Sequence, residues 1–571
     1  MTGALRPRPA SLGPWCLGLA AIVLATTGHR FANGFVHDDD ELIREGRVIH
    51  DPARLPEVWT HHTMAASAAD PGQVQSVDTY RPLTLTLFVL DASWSGRSPF
   101  GYHLTNLALH VGCTLLVFAL AVVWLGRERA GPAFYGAAVF AAHPWLVEAH
   151  VWINGRSDPL ALLFGLGAAL VLALSERSSE RRALAGTALA GGLWLLGLLA
   201  KETLLLAAPA IAAMPSPYGV APRWSRFAYR AAALVPSSVA YLAVRAGVLG
   251  GLRTHRDAAM LADAAARLPW LLFDSLRHAL APGLPYFRCL RDEYASVGAL
   301  PTVLGGLAVL LVAIVAWRAR RAAPLAAWTA LWFFLPIVPV AVLTTVLWPG
   351  FGRYLYIPMA GVAWALADVT AKLRTPGGRA LVWRALGAAH VLVLGAMAAL
   401  FTRDHASSES LYGAAIAARP DVAAGHGWLG IARYDAGDAR GALGPLLRAT
   451  ELDPGTHRYL VRAAGAALAL GDRELTAELA ERGLALFSGR PEEAAYRMLA
   501  VNSMPARDPQ RAVEHLVRCL EVFPGRADCE AALRSLVEDA PDAVENRRAL
   551  AERAARTRDR ALAARLRRLL R

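Results

Sequence analysis

A chain of 571 residues that is 55% hydrophobic and only 18% charged is too apolar for a soluble protein of this length and too long for one core, so it reads as a membrane protein. The net charge of +13 does not indicate nucleic-acid binding, because the arginines fall in short clusters between apolar runs and no basic stripe interleaved with aromatics precedes the C-terminal part. Five cysteines, Cys16, Cys113, Cys289, Cys519 and Cys529, show no Cys-x-x-Cys or His-rich spacing and so offer no zinc or redox motif.

In chain order, Arg6 and Arg8 precede an apolar run that lacks a small-x-small cleavage site and is read as a retained first helix. Eleven spans are expected, at 12–29, 103–124, 132–150, 158–175, 183–200, 202–215, 228–249, 299–317, 324–347, 354–371 and 383–402. Each loop that an inside N-terminus would place in the cytoplasm carries clustered basic residues: GRERAG (126–131), SERSSERR (175–182), PRWSRFAYR (222–230), WRARRAA (317–323) and KLRTPGGR (372–379). That agreement with the positive-inside rule predicts an inside N-terminus and an outside C-terminus. The shorter apolar pieces 81–94 and 268–285 are interrupted by charge and are read as interfacial helices on the outer face. Trp124, Trp152, Trp317 and Trp348 fall near span ends, as an aromatic belt requires.

Beyond residue 405 the pattern becomes helical and Ala-rich. HGWLGIARYDAGDARGALGPLLRATELDP (426–454) carries a tetratricopeptide signature, and Gly471-Asp472 repeats Gly437-Asp438 at a spacing of 34. The domains expected are 1–402, a polytopic membrane domain whose outer loop 30–102 holds an acidic motif, and 403–571, a repeat solenoid with a concave face for a protein partner. The fold class is all-α.

Ionisable residues collect on the predicted outer side. They include Asp38, Asp39, Asp40 and His37, Arg81, His103 with Asn106, and His143, Glu148, His150, Arg156 and Asp158. Lys201, Glu202, Arg353 and Tyr354 complete the set. Charges at membrane depth are costly, so such a set normally lines a polar cavity. Carboxylates beside several cations suit chemistry on a phosphate-bearing substrate, the carboxylate taking a proton and the cations steadying the departing phosphate. Structural roles compete for several of them: a helix start for Asp40 and Glu41, a surface ion pair for Arg156 and Asp158, a boundary anchor for Lys201-Glu202 and a snorkel for Arg353.

The ordered segments GFVHDDDELI, TYRPLTLTLF, GYHLTNLALH, HPWLVEAHVWINGRSDPL, LLAKETLLLAAPA and GRYLYIPMAG, followed by repeats, resemble the transmembrane-and-tetratricopeptide-repeat-containing family of protein O-mannosyltransferase-like proteins. That family belongs to the C-type glycosyltransferase superfamily. The resemblance implies an enzyme that takes a sugar from a polyprenyl-phosphate carrier and gives it to a protein or glycan acceptor on the non-cytoplasmic side. It places Asp38 and Asp39 at the motif positions, with Asp39 as general base. From the residues themselves, Arg81, Arg156 and Arg353 are the candidates for the phosphate, and His143, Glu148, Asp158, Lys201, Glu202 and Tyr354 complete the expected substrate-binding set. The Ala- and Arg-rich composition points to a bacterium of high genomic GC content, which makes undecaprenyl phosphate the expected carrier, the inner membrane the location and the periplasm the outer side. No metal ligands are assigned. An oligosaccharide ligase or polymerase and a membrane-anchored repeat scaffold are the alternatives; the first keeps its important residues in a late outer loop, the second needs no clustered acids and cations.

Overall fold

The computed structural model describes residues 11–63, 79–218, 223–251, 258–289, 293–294, 297–341, 352–373, 379–490, 492–504, 508–538, 540 and 542–570. Among these the chain is helical and contains no strand. It divides into two compact units, Met1–Leu411 and Tyr412–Arg571.

The first unit is a polytopic membrane bundle. Among the described residues nine helices are long and apolar enough to cross a bilayer, including Pro99–Leu125, Glu180–Ala200, Ala299–Ala319 and Gly352–Lys372. Without a hydrophobic force between helices in lipid, close backbone approach at small residues holds such a bundle together. Gly136 shows this: a Cβ there would overlap the carbonyl oxygen of Ala363 on the neighbouring helix. Gly361 sits equally tight against the Thr329 carbonyl, 2.8 Å from where its Cβ would be.

Two of the eleven expected spans are not among the nine long apolar helices of the described residues. The segment expected over 132–150 folds as Ala130–Ala142, then a 3-10 turn Pro144–Leu146 and a short helix Val147–Val151. Pro144 forces the break, because the residue before a proline is driven out of the helical region and His143 is extended, at φ −70° and ψ 122°. The segment expected over 202–215 begins at an extended Lys201 and continues as the 3-10 helix Glu202–Ala207 and the short helix Ala208–Ala212. Both still run from one end of the bundle to the other. Phe134 packs on Trp15 near one end and Glu148 meets Gly352 at the other, while Lys201 meets Asp158 and Pro215 accepts from Trp124 Nε1 at the far end. Irregular backbone at this depth is tolerated because protein surrounds it.

The two ends differ in charge. At one lie Glu176, paired with a buried Arg230, and the arginines at 127–129, 177–182 and 318–321. At the other lie the acids of the first loop, Arg81, Asp158, Lys201, Glu202 and Arg353. The segment expected over 268–285 begins earlier, as the helix Ala258–Leu280, and buries Asp274, Ser275 and His278 on one side. The aromatic belt is only partly present. Trp317 is exposed, but Trp124 joins an internal cluster with Trp328, Trp332 and Trp364, and Trp152 is buried at the acidic end. Each indole N–H of the cluster bonds a carbonyl on another helical segment, as Trp364 does to Val117 at 3.0 Å, so these rings pin segments rather than mark an interface. Residues 342–347 of the expected ninth span, Trp348 and residues 374–378 of the last basic loop lie outside the described residues.

The second unit is a helical repeat region of antiparallel pairs, beginning with Ala423–Asp435 and Ala439–Leu452, then His457–Ala469 and Arg473–Leu486. The reason for Gly-Asp at a spacing of 34 is geometric. Gly437 and Gly471 take φ of +85° and +78°, which ends one helix, and Asp438 and Asp472 accept backbone N–H bonds of 2.8 and 3.0 Å that start the next. Further along, Pro509–Val522 and Ala527–Glu538 are joined by a disulfide between Cys519 and Cys529, with Cα atoms 6.3 Å apart. Cleaving the protein without reductant should recover the two peptides as one species. Cys519→Ala/Cys529→Ala should lower the stability of this unit by about 2–4 kcal/mol, read as thermal unfolding.

Candidate functional site

The site begins with the loop after the first span. Asp39 has no exposed surface; its Oδ2 accepts the Val36 N–H at 3.2 Å and its Oδ1 accepts the Asn154 N–H at 2.9 Å. Burial first, and the charge of Asp38 second, push its carboxyl well above the ordinary range. Asp38 is half-buried and takes a different part. Its Oδ2 accepts from Asn154 Nδ2 at 3.0 Å, and its Oδ1 makes no hydrogen bond among the described residues. Burial pushes Asp38 up to about 6, against the pull of the Asn154 bond and the Arg353 charge. Asp40 opens the wide helical turn Asp40–Arg44 and pairs with Arg44 at 3.1 Å on the more exposed side, so it serves the turn.

His37 immediately before them has φ of +58°, a left-handed conformation that costs a non-glycine residue about 1–3 kcal/mol. It is held there by its N–H to Ser408 Oγ at 3.0 Å and by ring contacts with Trp152 and Phe287. Three more bonds fasten the same stretch to the end of the last span: His29 Nε2 with the Ala399 carbonyl, Asn33 Nδ2 to the Thr402 carbonyl and the Gly34 N–H to the Ala406 carbonyl, all at 2.9–3.0 Å.

The cations fall into two groups. Arg353 lies over the rings of Trp152 and Tyr354, donates to the Tyr354 hydroxyl at 3.3 Å and stands 4.0 Å from Glu148 Oε1; its Nε makes no hydrogen bond among the described residues. Glu148 itself accepts the Gly352 N–H at 3.0 Å and so fixes the backbone that carries Arg353. Lys201 pairs with Asp158 at 2.5 Å and lies over the Tyr354 ring; burial lowers its pKa to about 8, opposed by Asp158. Arg81 holds Glu202 through two bonds of 2.7 and 3.0 Å, each partner part-exposed. Asp158 and Tyr354 line a small recess with Thr203, Pro336, Val340 and Ile357.

Arg156 belongs elsewhere. Rather than half of a surface pair with Asp158, it is wholly buried, with Nη1 2.5 Å from Asp91, Nε bonded to Asn106 Oδ1 at 2.8 Å and Nη2 to the Tyr102 carbonyl at 3.0 Å. It stacks on Phe88 at 4.2 Å. His143, expected near the substrate, lines a separate recess with Val139, Ala279, Leu280, Val362 and His390. His150 stacks on His110 inside the bundle. Among the described residues no cluster of three or more His, Cys, Asp or Glu side chains is arranged to hold a metal ion. Sequence reasoning passed over Asn154, a neutral residue whose backbone and side chain grip both acids; the only signal was its place in the WINGRSD segment.

The arrangement offers one carboxylate with a buried oxygen that no hydrogen bond engages among the described residues, a guanidinium with an unengaged Nε, and an ammonium nearby. Such a set can take a proton from a hydroxyl and steady a developing phosphate charge. If Arg156 works as internal packing, Arg156→Met should leave Asp91 buried and unpaired and cost about 3–5 kcal/mol of stability. Arg353→Ala should cost far less; thermal unfolding of both variants in detergent separates the two groups.

No family model matches the chain. Over 165 residues, 28% of the chain and 18% of the relative, it is 32% identical to the human protein O-mannosyl-transferase TMTC1. It is 28% identical over 188 residues to human protein O-mannosyl-transferase TMTC4, covering 25% of that protein, and 33% identical over 143 residues to the Drosophila melanogaster protein O-mannosyl-transferase Tmtc1, covering 16%. The chain thus spans about a quarter or less of the length of these curated relatives.

Proposed function

We propose that this membrane protein is a glycosyltransferase that moves a sugar from a polyprenyl-phosphate carrier to an acceptor hydroxyl on a protein or glycan. The observation that carries the reading is Asp38 Oδ1, a buried carboxylate oxygen with no hydrogen bond among the described residues, in the field of the Arg353 guanidinium. The likeness to proteins named O-mannosyl-transferases supports the transferase class. Mannose and a protein acceptor are in the names of those relatives.

In this reaction the acceptor oxygen attacks the anomeric carbon and its proton passes to Asp38. The bond between that carbon and the phosphate oxygen breaks, its electron pair stays on the carrier phosphate, and Arg353 with Lys201 stabilises the charge. Arg81 and Glu202 border the same end. The resemblance assigned the base to Asp39, but backbone N–H groups already occupy both Asp39 oxygens, which suits it to shaping the loop. Asp38 is the better base.

Two observations support a non-cytoplasmic acidic end. The opposite end carries the arginine loops, and the disulfide of the second unit requires an oxidising compartment. We read the site as periplasmic in a bacterium, with undecaprenyl phosphate as the carrier. Alkaline phosphatase fused after Leu411 should then be active, and an inactive fusion there with an active cytoplasmic reporter would reverse the orientation.

The chemistry is tested by incubating purified protein with labelled polyprenyl-phosphate sugars and measuring release of the carrier phosphate. Asp38→Asn should lower turnover by about 10²- to 10⁴-fold. Because burial raises the Asp38 pKa above its unfolded value, this group stabilises the fold only when protonated, and that contribution is lost as pH rises through about 6. Asp38→Asn should therefore unfold at the same or a higher temperature at pH 8, while wild-type turnover falls as pH drops through about 6. Wild-type turnover by folded Asp38→Asn, or no carrier release from any polyprenyl-phosphate sugar, would sink the proposal.

A further inference from the structure

The geometry points to Asn154 as the positioning residue of the site: it selects which oxygen of Asp38 faces the acceptor and sets the proton affinity of that carboxylate. This deepens the proposed function and rests on its assignment of Asp38 as base.

Among the described residues, Asn154 is the one whose hydrogen bonds reach both carboxylates. Its side-chain amide donates to Asp38 Oδ2 at 3.0 Å and its backbone N–H donates to Asp39 Oδ1 at 2.9 Å. With Oδ2 engaged, Oδ1 is the oxygen that has no hydrogen bond among the described residues, shielded from solvent and so placed to take a proton only from a hydroxyl seated against it. An amide donor strengthens the charged form of a carboxylate without adding charge. Aspartate in its place would lose the donor and add repulsion.

The residue is itself fixed on both sides. It lies in the turn Ile153–Arg156, whose Trp152 and Ile153 carbonyls accept from Asn106 Nδ2 at 3.2 Å each, while Arg156 Nε returns to Asn106 Oδ1. Gly155 beside it has no room for a side chain, because a Cβ would stand 2.6 Å from the Glu148 carbonyl oxygen. The turn therefore presents the Asn154 amide from a rigid base, as a positioning group requires. The charged groups facing Asp38 are Asp39 and Glu41 from its own loop and Arg353 from the Gly352–Leu355 turn. An Asn154 substitution leaves all three in place.

The test uses the full-length protein in detergent. Asn154→Ala removes the donor and should raise the lower limb of the pH–turnover profile by about one unit, so that turnover falls about tenfold at pH 5 and less than about twofold at pH 8.5. A purely structural role would lower turnover equally at every pH. Infrared titration of the carboxyl band that disappears in Asp38→Asn reads proton affinity without any turnover. Its midpoint should rise by about one unit in Asn154→Ala. An unmoved midpoint in a folded variant overturns the role of Asn154 even if transfer is confirmed. A moved midpoint in a protein that releases no carrier upholds the tuning and discards the transferase reading. Asn154→Asp should move the midpoint further in the same direction, and a fall there would also overturn the proposal.

Discussion

A single buried carboxylate organises the acidic end of this bundle. Asp39 has no exposed surface, and it closes the gap between the first loop and the turn at Ile153–Arg156 by accepting one backbone N–H from each side. Buried polar groups left unpaired cost about 1–3 kcal/mol each, so the two N–H groups and the carboxylate are stable only together. The position of Asp38, the strained backbone of His37 and the approach of Arg353 all follow from where that junction holds the loop.

The charges around the junction divide according to what they already bind. Arg156, Asp91, Asn106 and the Tyr102 carbonyl form a closed set inside the bundle, with the guanidinium also stacked on Phe88. Removing Arg156 or Asp91 would leave the other charge buried without its counter-ion, which makes the set a fixed frame for the turn that carries Asn154. Arg353 has only a distant carboxylate, a phenol and two rings, and keeps a donor unengaged. One end of the molecule thus holds an inner layer of satisfied charge and an outer layer with spare capacity.

Much of this was legible in the sequence because it depends on local properties. Hydropathy marked the nine long apolar helices found among the described residues, and residue type marked the acids and cations that gather at one end. What sequence could not rank was which ions satisfy each other. Asp91 was visible as a charge interrupting an apolar run, but its partner Arg156 is far away in the chain, and only packing brings them together. Asn154 has no charge to draw attention, and its importance comes from a backbone N–H that every residue but proline possesses. The break at His143 was hidden for a related reason: the proline that forces it hardly lowers the hydropathy of the apolar run around it. Trp124 turns inward because its indole N–H reaches the Pro215 carbonyl, and Trp152 because it packs against His37 and Arg353.

The four bonds that fasten residues 29–37 to residues 399–408 span nearly the whole membrane unit in sequence. A ribosome delivers the first partner some 370 residues before the second. The left-handed His37 has its Ser408 partner only after the last span has been made and inserted. The acidic loop is therefore among the first segments to leave the translocation channel and among the last to take its final shape, so a partly inserted chain carries its carboxylates without the setting that aims them.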